Sequence, residues 1–185
     1  MWVSDPVGSG FVASLARPGG NATGFTPLVG SLGGKWVELL KEIAPHVARA
    51  VALFNPTMAP YADYYLNPFK AAATSTAVEA IVAPVSNVSE LEAVVAAQAR
   101  EPNGGLIVMP DTFTIGHRAD ITMLATRYLV PAVYWLRDFA ELGGLISYGP
   151  DVVDEFRRAA SYADRILKGR SQASFPFRRQ SSSSW

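Results

Sequence analysis

A small set of polar and aromatic residues stands where short apolar runs end: Asp5, Asn55, Asp111 with Phe113, and Tyr134 with Trp135. Tyr61 lies just beyond Asn55, at the start of the next helical stretch. Together these side chains offer what a small zwitterion needs. A carboxylate such as Asp111 pairs with an ammonium, an amide such as Asn55 donates to or accepts from a carboxylate, and aromatic rings sandwich an apolar part. Each also has a plainer reading, since Asn55 and Asp111 suit helix caps and the rings suit a core. Their common place at the ends of apolar runs is what favours a small-molecule pocket.

Catalytic chemistry finds much less support. The chain has no cysteine, which excludes disulfides, thiolate nucleophiles, zinc–thiolate sites and iron–sulfur clusters. Its two histidines, His46 and His117, are far apart in sequence. His117 has Asp111 and Asp120 nearby, the ingredients of an acid–base pair or metal site, but a histidine on the first turn of a polar-flanked helix is more simply a surface residue. Gly8-Ser9-Gly10-Phe11-Val12-Ala13 matches G-x-G-x-x-A, yet Val29 to Leu32 supplies no acidic residue for a ribose. A turn and helix N-terminus able to hold a small anion is the better reading there. Gly34-Lys35 lacks both the first glycine and the Ser/Thr of a P-loop, and G-x-S-x-G is absent. The residues therefore predict a binding protein with no catalytic group, cofactor or metal.

Composition points the same way. Lys+Arg and Asp+Glu both total 16 in 185 residues, for a net charge of zero and a pI near 6.7. Nucleic-acid binders normally carry a basic excess or stripe, so none is expected as a partner. Hydrophobic residues make up 49%, enough for a core. No apolar run has the roughly 18–20 residues of a membrane span. Met1 to Asp5 shows neither the basic nor the apolar region of a secretory signal.

The elements that must position these residues alternate in type. Arg49 to Asn55, Glu79 to Val85, Gly105 to Pro110 and Pro131 to Trp135 read as short buried strands. Between them, Tyr61 to Ala77, a stretch capped by Asn87 running to Arg100, and Thr114 to Tyr128 read as helices. The alternation predicts βαβ units and a parallel sheet over residues 30–145, covered by helices on both faces: a three-layer α/β/α fold. Val51, Leu53, Ile81, Ile107, Val108 and Val133 are its expected core. Gly- and Pro-rich residues 4–34 leave room for one short helix, Ser9 to Ala16, and a longer one from Gly34 to Pro45. Asp151 caps a last helix that Gly169 ends. The Ser-rich residues 171–185 are expected to be disordered or an altered terminus.

Several segments closely resemble one family. They are Asp5-Pro6-Val7-Gly8-Ser9-Gly10, Leu15 to Gly24, Lys41-Glu42-Ile43-Ala44-Pro45, Leu53-Phe54-Asn55-Pro56, Gly105-Leu106-Ile107-Val108 with Pro110-Asp111, and Gly143 to Pro150. The family is the substrate-binding proteins of bacterial ABC importers, in the branch often labelled tryptophan/tyrosine-type. The resemblance implies a type I periplasmic-binding-protein fold, two α/β lobes joined by a hinge, located in the periplasm. It also implies a small-molecule ligand, an amino acid or related carboxylate, delivered to ABC permease subunits. A ligand-sensing regulator of the same fold is the alternative. On this reading residues 28–145 are a complete second lobe, while 1–27 and 146–170 are hinge crossings and remnants of the first. Asn55, Tyr61, Asp111, Phe113 and Tyr134 would line the ligand face, with Asp5 and Tyr148 close to the hinge. An open cleft face leaves a homodimer as a further alternative.

Overall fold

The computed structural model describes residues 6–26, 29–176, 178–179 and 182–184. In chain order its elements are β1 (Phe25–Thr26), α1 (Leu32–Ile43), β2 (Arg49–Phe54), α2 (Asp63–Ser75), β3 (Glu79–Pro84), α3 (Val88–Arg100) and β4 (Gly104–Val108). There follow α4 (Thr112–Gly116), α5 (Arg118–Arg127), β5 (Ala132–Tyr134), α6 (Arg137–Glu141), β6 (Ile146–Pro150) and α7 (Val152–Leu167). A 3-10 turn at Gln172–Ser174, then β7 (Arg178–Arg179) and β8 (Ser182–Ser184), complete the order. The chain divides into two compact units, residues 30–149 with 184–185, and residues 1–29 with 150–183.

The larger unit is built on five parallel strands in the order β3-β2-β4-β5-β6. Helix α1 packs on α2, and α3 packs on α5. Right-handed crossovers in this strand order put those pairs on opposite faces, which gives the three layers expected from the alternating pattern. Central strands β2 and β4 are buried along nearly their whole length because helices cover both faces. Val51, Leu53, Ile107, Val108 and Val133 lie in that core, beside Trp36, Leu40, Tyr65 and Phe69. Ile81 does not. It is only half-buried, because β3 is the edge strand and has a neighbour on one side alone.

Local chemistry explains most boundaries. Asn87 Oδ1 accepts from Glu90 N at 3.0 Å while Glu90 Oε2 accepts from Ser86 N at 2.7 Å, a reciprocal cap that opens α3. The single helix expected over Thr114–Tyr128 is instead two, because the backbone leaves helical geometry at His117, just after Gly116. Gly33 lets α1 approach α2, since a Cβ there would run into the Tyr65 carbonyl.

The smaller unit holds the parallel pair β1–β7, with Phe25 opposite Arg178. Tyr162 of α7 packs between Phe25 and Phe175, ring centroids 4.8 Å from each. Phe175 is buried, so part of the tail expected to be disordered is anchored by one apolar side chain. The short helix expected over Ser9–Ala16 is not formed. Gly10 and Gly19 take positive φ and Ser14 Oγ accepts from Arg17 N, so the segment closes as turns. Without that helix, the anion-binding reading of Gly8–Gly10 loses its physical basis.

Candidate functional site

Strand order locates the site before any side chain is considered. From β2 the chain steps outward to β3, and from β4 it steps the other way to β5. Loops leaving neighbouring strands in opposite directions open a crevice at the carboxyl edge, between β2 and β4. Asn55 follows β2, and Asp111 lies just beyond β4.

The two are joined. Asp111 is 3% exposed, and its Oδ2 accepts from the Asn55 main-chain N–H at 2.8 Å. Its Oδ1 accepts from Thr114 N at 2.6 Å, capping α4. Burial pushes the Asp111 carboxyl above the usual carboxylate range, and hydrogen bonds from the Asn55, Thr114 and Phe113 main chain pull it back only in part. Asn55, 5% exposed, spends its Oδ1 on Thr57 N and Met58 N, both at 3.0 Å. That turn leaves the amide Nδ2 as the group it can offer a ligand. Tyr61 reaches across to the same loop, its hydroxyl donating to the Pro110 carbonyl at 3.1 Å. Thr114 Oγ1 donates to the Met109 carbonyl at 2.9 Å. The loops after β2 and β4 are thus latched by side chains from both.

Four of the expected residues come together here: Asn55, Tyr61, Asp111 and Phe113. Tyr61 and Phe113 are half-buried, their rings against Tyr65 and His117. Asp111, expected to meet a ligand's ammonium, has both oxygens engaged by main-chain N–H groups, so the fold uses it to hold the loops. Tyr134 stands apart. It is 1% exposed, stacked on Phe139 at 4.9 Å and 15° between planes, and burial pushes its phenol up to about 12. Its ring fills the layer between β5 and α6 rather than the crevice. Tyr148 is half-buried on β6, where its carbonyl accepts from Trp36 Nε1 at 2.7 Å. Asp5 lies outside the described residues.

Thr114 and the Pro110 carbonyl were not anticipated. The spacing of Asp111 and Thr114 shows a helix cap to a reader of the sequence, but the bond from Asn55 spans 56 residues and leaves no local signal. His117 pairs with Asp120, Nδ1 to Oδ2 at 3.0 Å, and its ring lies 4.5 Å from Phe113, so it is not the partner of Asp111. Among the described residues, no three His, Asp or Glu side chains converge as a metal site, and no helix is long and apolar enough to cross a membrane.

The family model described as "ABC transporter substrate binding protein" matches residues 1–185. No curated protein matches the chain. Among solved structures, a conserved domain protein from Vibrio cholerae O1 biovar eltor is 24% identical with a TM-score of 0.84, over 98% of this chain and 60% of that one. An ABC domain in complex with L-Trp from Streptococcus pneumonia is 23% identical with a TM-score of 0.83, over 99% and 62%. A periplasmic binding protein/LacI transcriptional regulator from Alkaliphilus metalliredigens, complexed with D-xylulofuranose, is 13% identical with a TM-score of 0.64, over 89% and 64%. At these identities the likeness establishes a fold of the type I periplasmic-binding-protein kind. The chain spans about three-fifths of the length of the solved structures it matches.

Proposed function

This chain belongs to the ABC transporter substrate-binding protein family, and on that premise we propose that it is the solute-binding part of an importer that takes up a small molecule, an amino acid or related small carboxylate. Substrate-binding proteins of this family are typically extracytoplasmic. In this reading the chain works in the periplasm and hands its ligand to permease subunits.

The observation that carries the reading is the latching of the loops that follow β2 and β4. The Asp111 carboxylate fixes the Asn55 main chain at 2.8 Å, and the Tyr61 hydroxyl fixes Pro110 at 3.1 Å. Fixed loops present Asn55 Nδ2 for a ligand carboxylate and the rings of Tyr61 and Phe113 for an apolar side chain. Asp111 positions these groups. Tyr134 supports them from the core. The chain passes between its two compact units at residues 29–30 and 149–150. The L-Trp bound by the Streptococcus relative favours an aromatic amino acid here.

The D-xylulofuranose complex of the regulator-like neighbour supports the second reading, a sugar-sensing domain. Thermal-shift titration of the chain with L-amino acids and with pentoses separates the two. An aromatic amino acid should raise the melting temperature in proportion to log concentration, and Phe113→Ala should remove the effect. Stabilisation by a pentose alone would select the second reading. No stabilisation by any of them at millimolar concentration would overturn both.

A further inference from the structure

The outermost strand of the larger unit carries main-chain groups that the sheet does not pair. Strand β3 stands at one end of the strand order, with β2 on one side and, among the described residues, no strand on the other. The ladder to β2 fixes which groups face out. Glu79 N donates to the Ala48 carbonyl and Val85 N to the Phe54 carbonyl, both at 2.8 Å. Alternation along the strand turns Ile81 and Ala83 towards β2 as well, and it points the N–H and C=O of Ala80 and Val82 outward, away from the sheet. Ala80, Ile81, Val82 and Ala83 are apolar, uncharged and half-buried. Apolar edges with unpaired main-chain groups recruit further strands.

Self-complementarity names the occupant. Run antiparallel against itself, this edge sets Ala80 opposite Val82 of a second copy, and Val82 opposite that copy's Ala80, so each pair exchanges two N–H···O bonds. Ile81 then meets Ile81 across the two-fold axis, an apolar cross-strand pair. Pairing stops at both ends. Pro84, the next outward residue, has no N–H, and Val78 spends its N–H on the Ala73 carbonyl at 2.8 Å. Charge selects the direction. Antiparallel strands hold the two Glu79 carboxylates about 13 Å apart along the strand, whereas an in-register parallel partner would set them side by side. A two-fold pairing consumes both β3 edges, so it closes as a dimer. A foreign peptide gains nothing from this symmetry, and the residues between Glu79 and Pro84 carry no charge to select one.

We propose that β3 is a self-pairing edge, through which two copies of this chain join their sheets antiparallel into one continuous sheet. The contact uses the lateral edge of the sheet and not the face at the strand ends, and it is independent of which ligand binds. Pairing over so few residues falls short of the roughly 1,200–2,000 Å² of a stable interface. The dimer is therefore weak, half-associated between about 10 and 500 µM.

Sedimentation equilibrium of the chain from about 5 µM to about 1 mM tests this. The weight-average mass should rise from 19.9 kDa towards twice that value. Val82→Pro deletes an outward N–H while sparing every bond to β2, so the melting temperature should stay within about 3 °C and association should weaken about tenfold or more. If that variant fails to fold, Val82→Lys decides, because it keeps the backbone and sets a charge on the edge, with the same tenfold loss expected. Amide exchange, corrected for intrinsic rates, reads the contact directly. In the parent at about 1 mM, the amides at positions 80 and 82 should exchange about fivefold or more slowly than in Val82→Lys, while those of Ile81 and Ala83 match. A parent that stays monomeric at about 1 mM overturns the proposal. So does a dimer that both variants leave intact, which would place the contact elsewhere, or equal exchange at positions 80 and 82, which would show the edge already covered within one chain.

Discussion

Replacing Asp111 by alanine tests the latch most directly. The substitution removes one acceptor from the Asn55 N–H and another from the Thr114 N–H, bonds of 2.8 and 2.6 Å to a carboxylate. Hydrogen bonds to charged groups contribute about 1.5–3 kcal/mol each, and both donors are left in buried residues. Against that stands the cost of keeping the carboxylate out of water, which raises its pKa despite the bonds it accepts. The two effects leave a net loss of about 2–4 kcal/mol. For a chain of this size that corresponds to a melting temperature lower by about 6–12 °C. Asp111→Asn keeps one acceptor and should cost about half as much. Urea unfolding followed by tryptophan fluorescence gives the free energies, and ligand titration of both variants gives the binding effect. Because the latch fixes Asn55 and Phe113, affinity should fall by about 1–3 kcal/mol in the alanine variant. An alanine variant within about 0.5 kcal/mol of the parent would refute the argument that this carboxylate holds the two loops.

Three further substitutions probe separate parts of the fold. Burial pushes the Glu155 carboxyl up to about 7 from its usual 4.5, so the stability it contributes is present below pH 4.5 and lost as pH rises through 7. Glu155→Gln should therefore match the parent at pH 4.5 and exceed it at pH 8. The full shift is worth about 3 kcal/mol, and water on the open side of the residue reduces this to about 1–2; equal stability at both pH values would count against it. Tyr61→Phe deletes the bond to the Pro110 carbonyl and should cost about 0.5–1.5 kcal/mol in chemical denaturation, with a smaller effect on ligand affinity than Phe113→Ala. Gly33→Ala sets a Cβ against the Tyr65 carbonyl and should lower the melting temperature by several degrees, a result that calorimetry of the variant checks.

Much of the larger unit was legible in the sequence because its signals are local. Runs such as Ala50 to Phe54 and Leu106 to Val108 are continuous apolar stretches because both faces of their strands are covered, and Asn87 and Asp151 cap helices through residues three positions away. Strand order was not local. That β3 takes the edge, leaving Ile81 half-buried, follows from how the crossovers stack and not from any property of Ile81. Nor could residue type separate Tyr134 from Tyr61. Both stand near strand ends, yet the pleat turns one into Phe139 and the core while the other reaches Pro110 at the open edge. Asp111 shows the division most clearly. Its cap on Thr114 lies within one helical turn and is written in the sequence, whereas its hold on Asn55 exists only because β2 and β4 are neighbours, a pairing between segments more than 50 residues apart that the packed sheet alone decides.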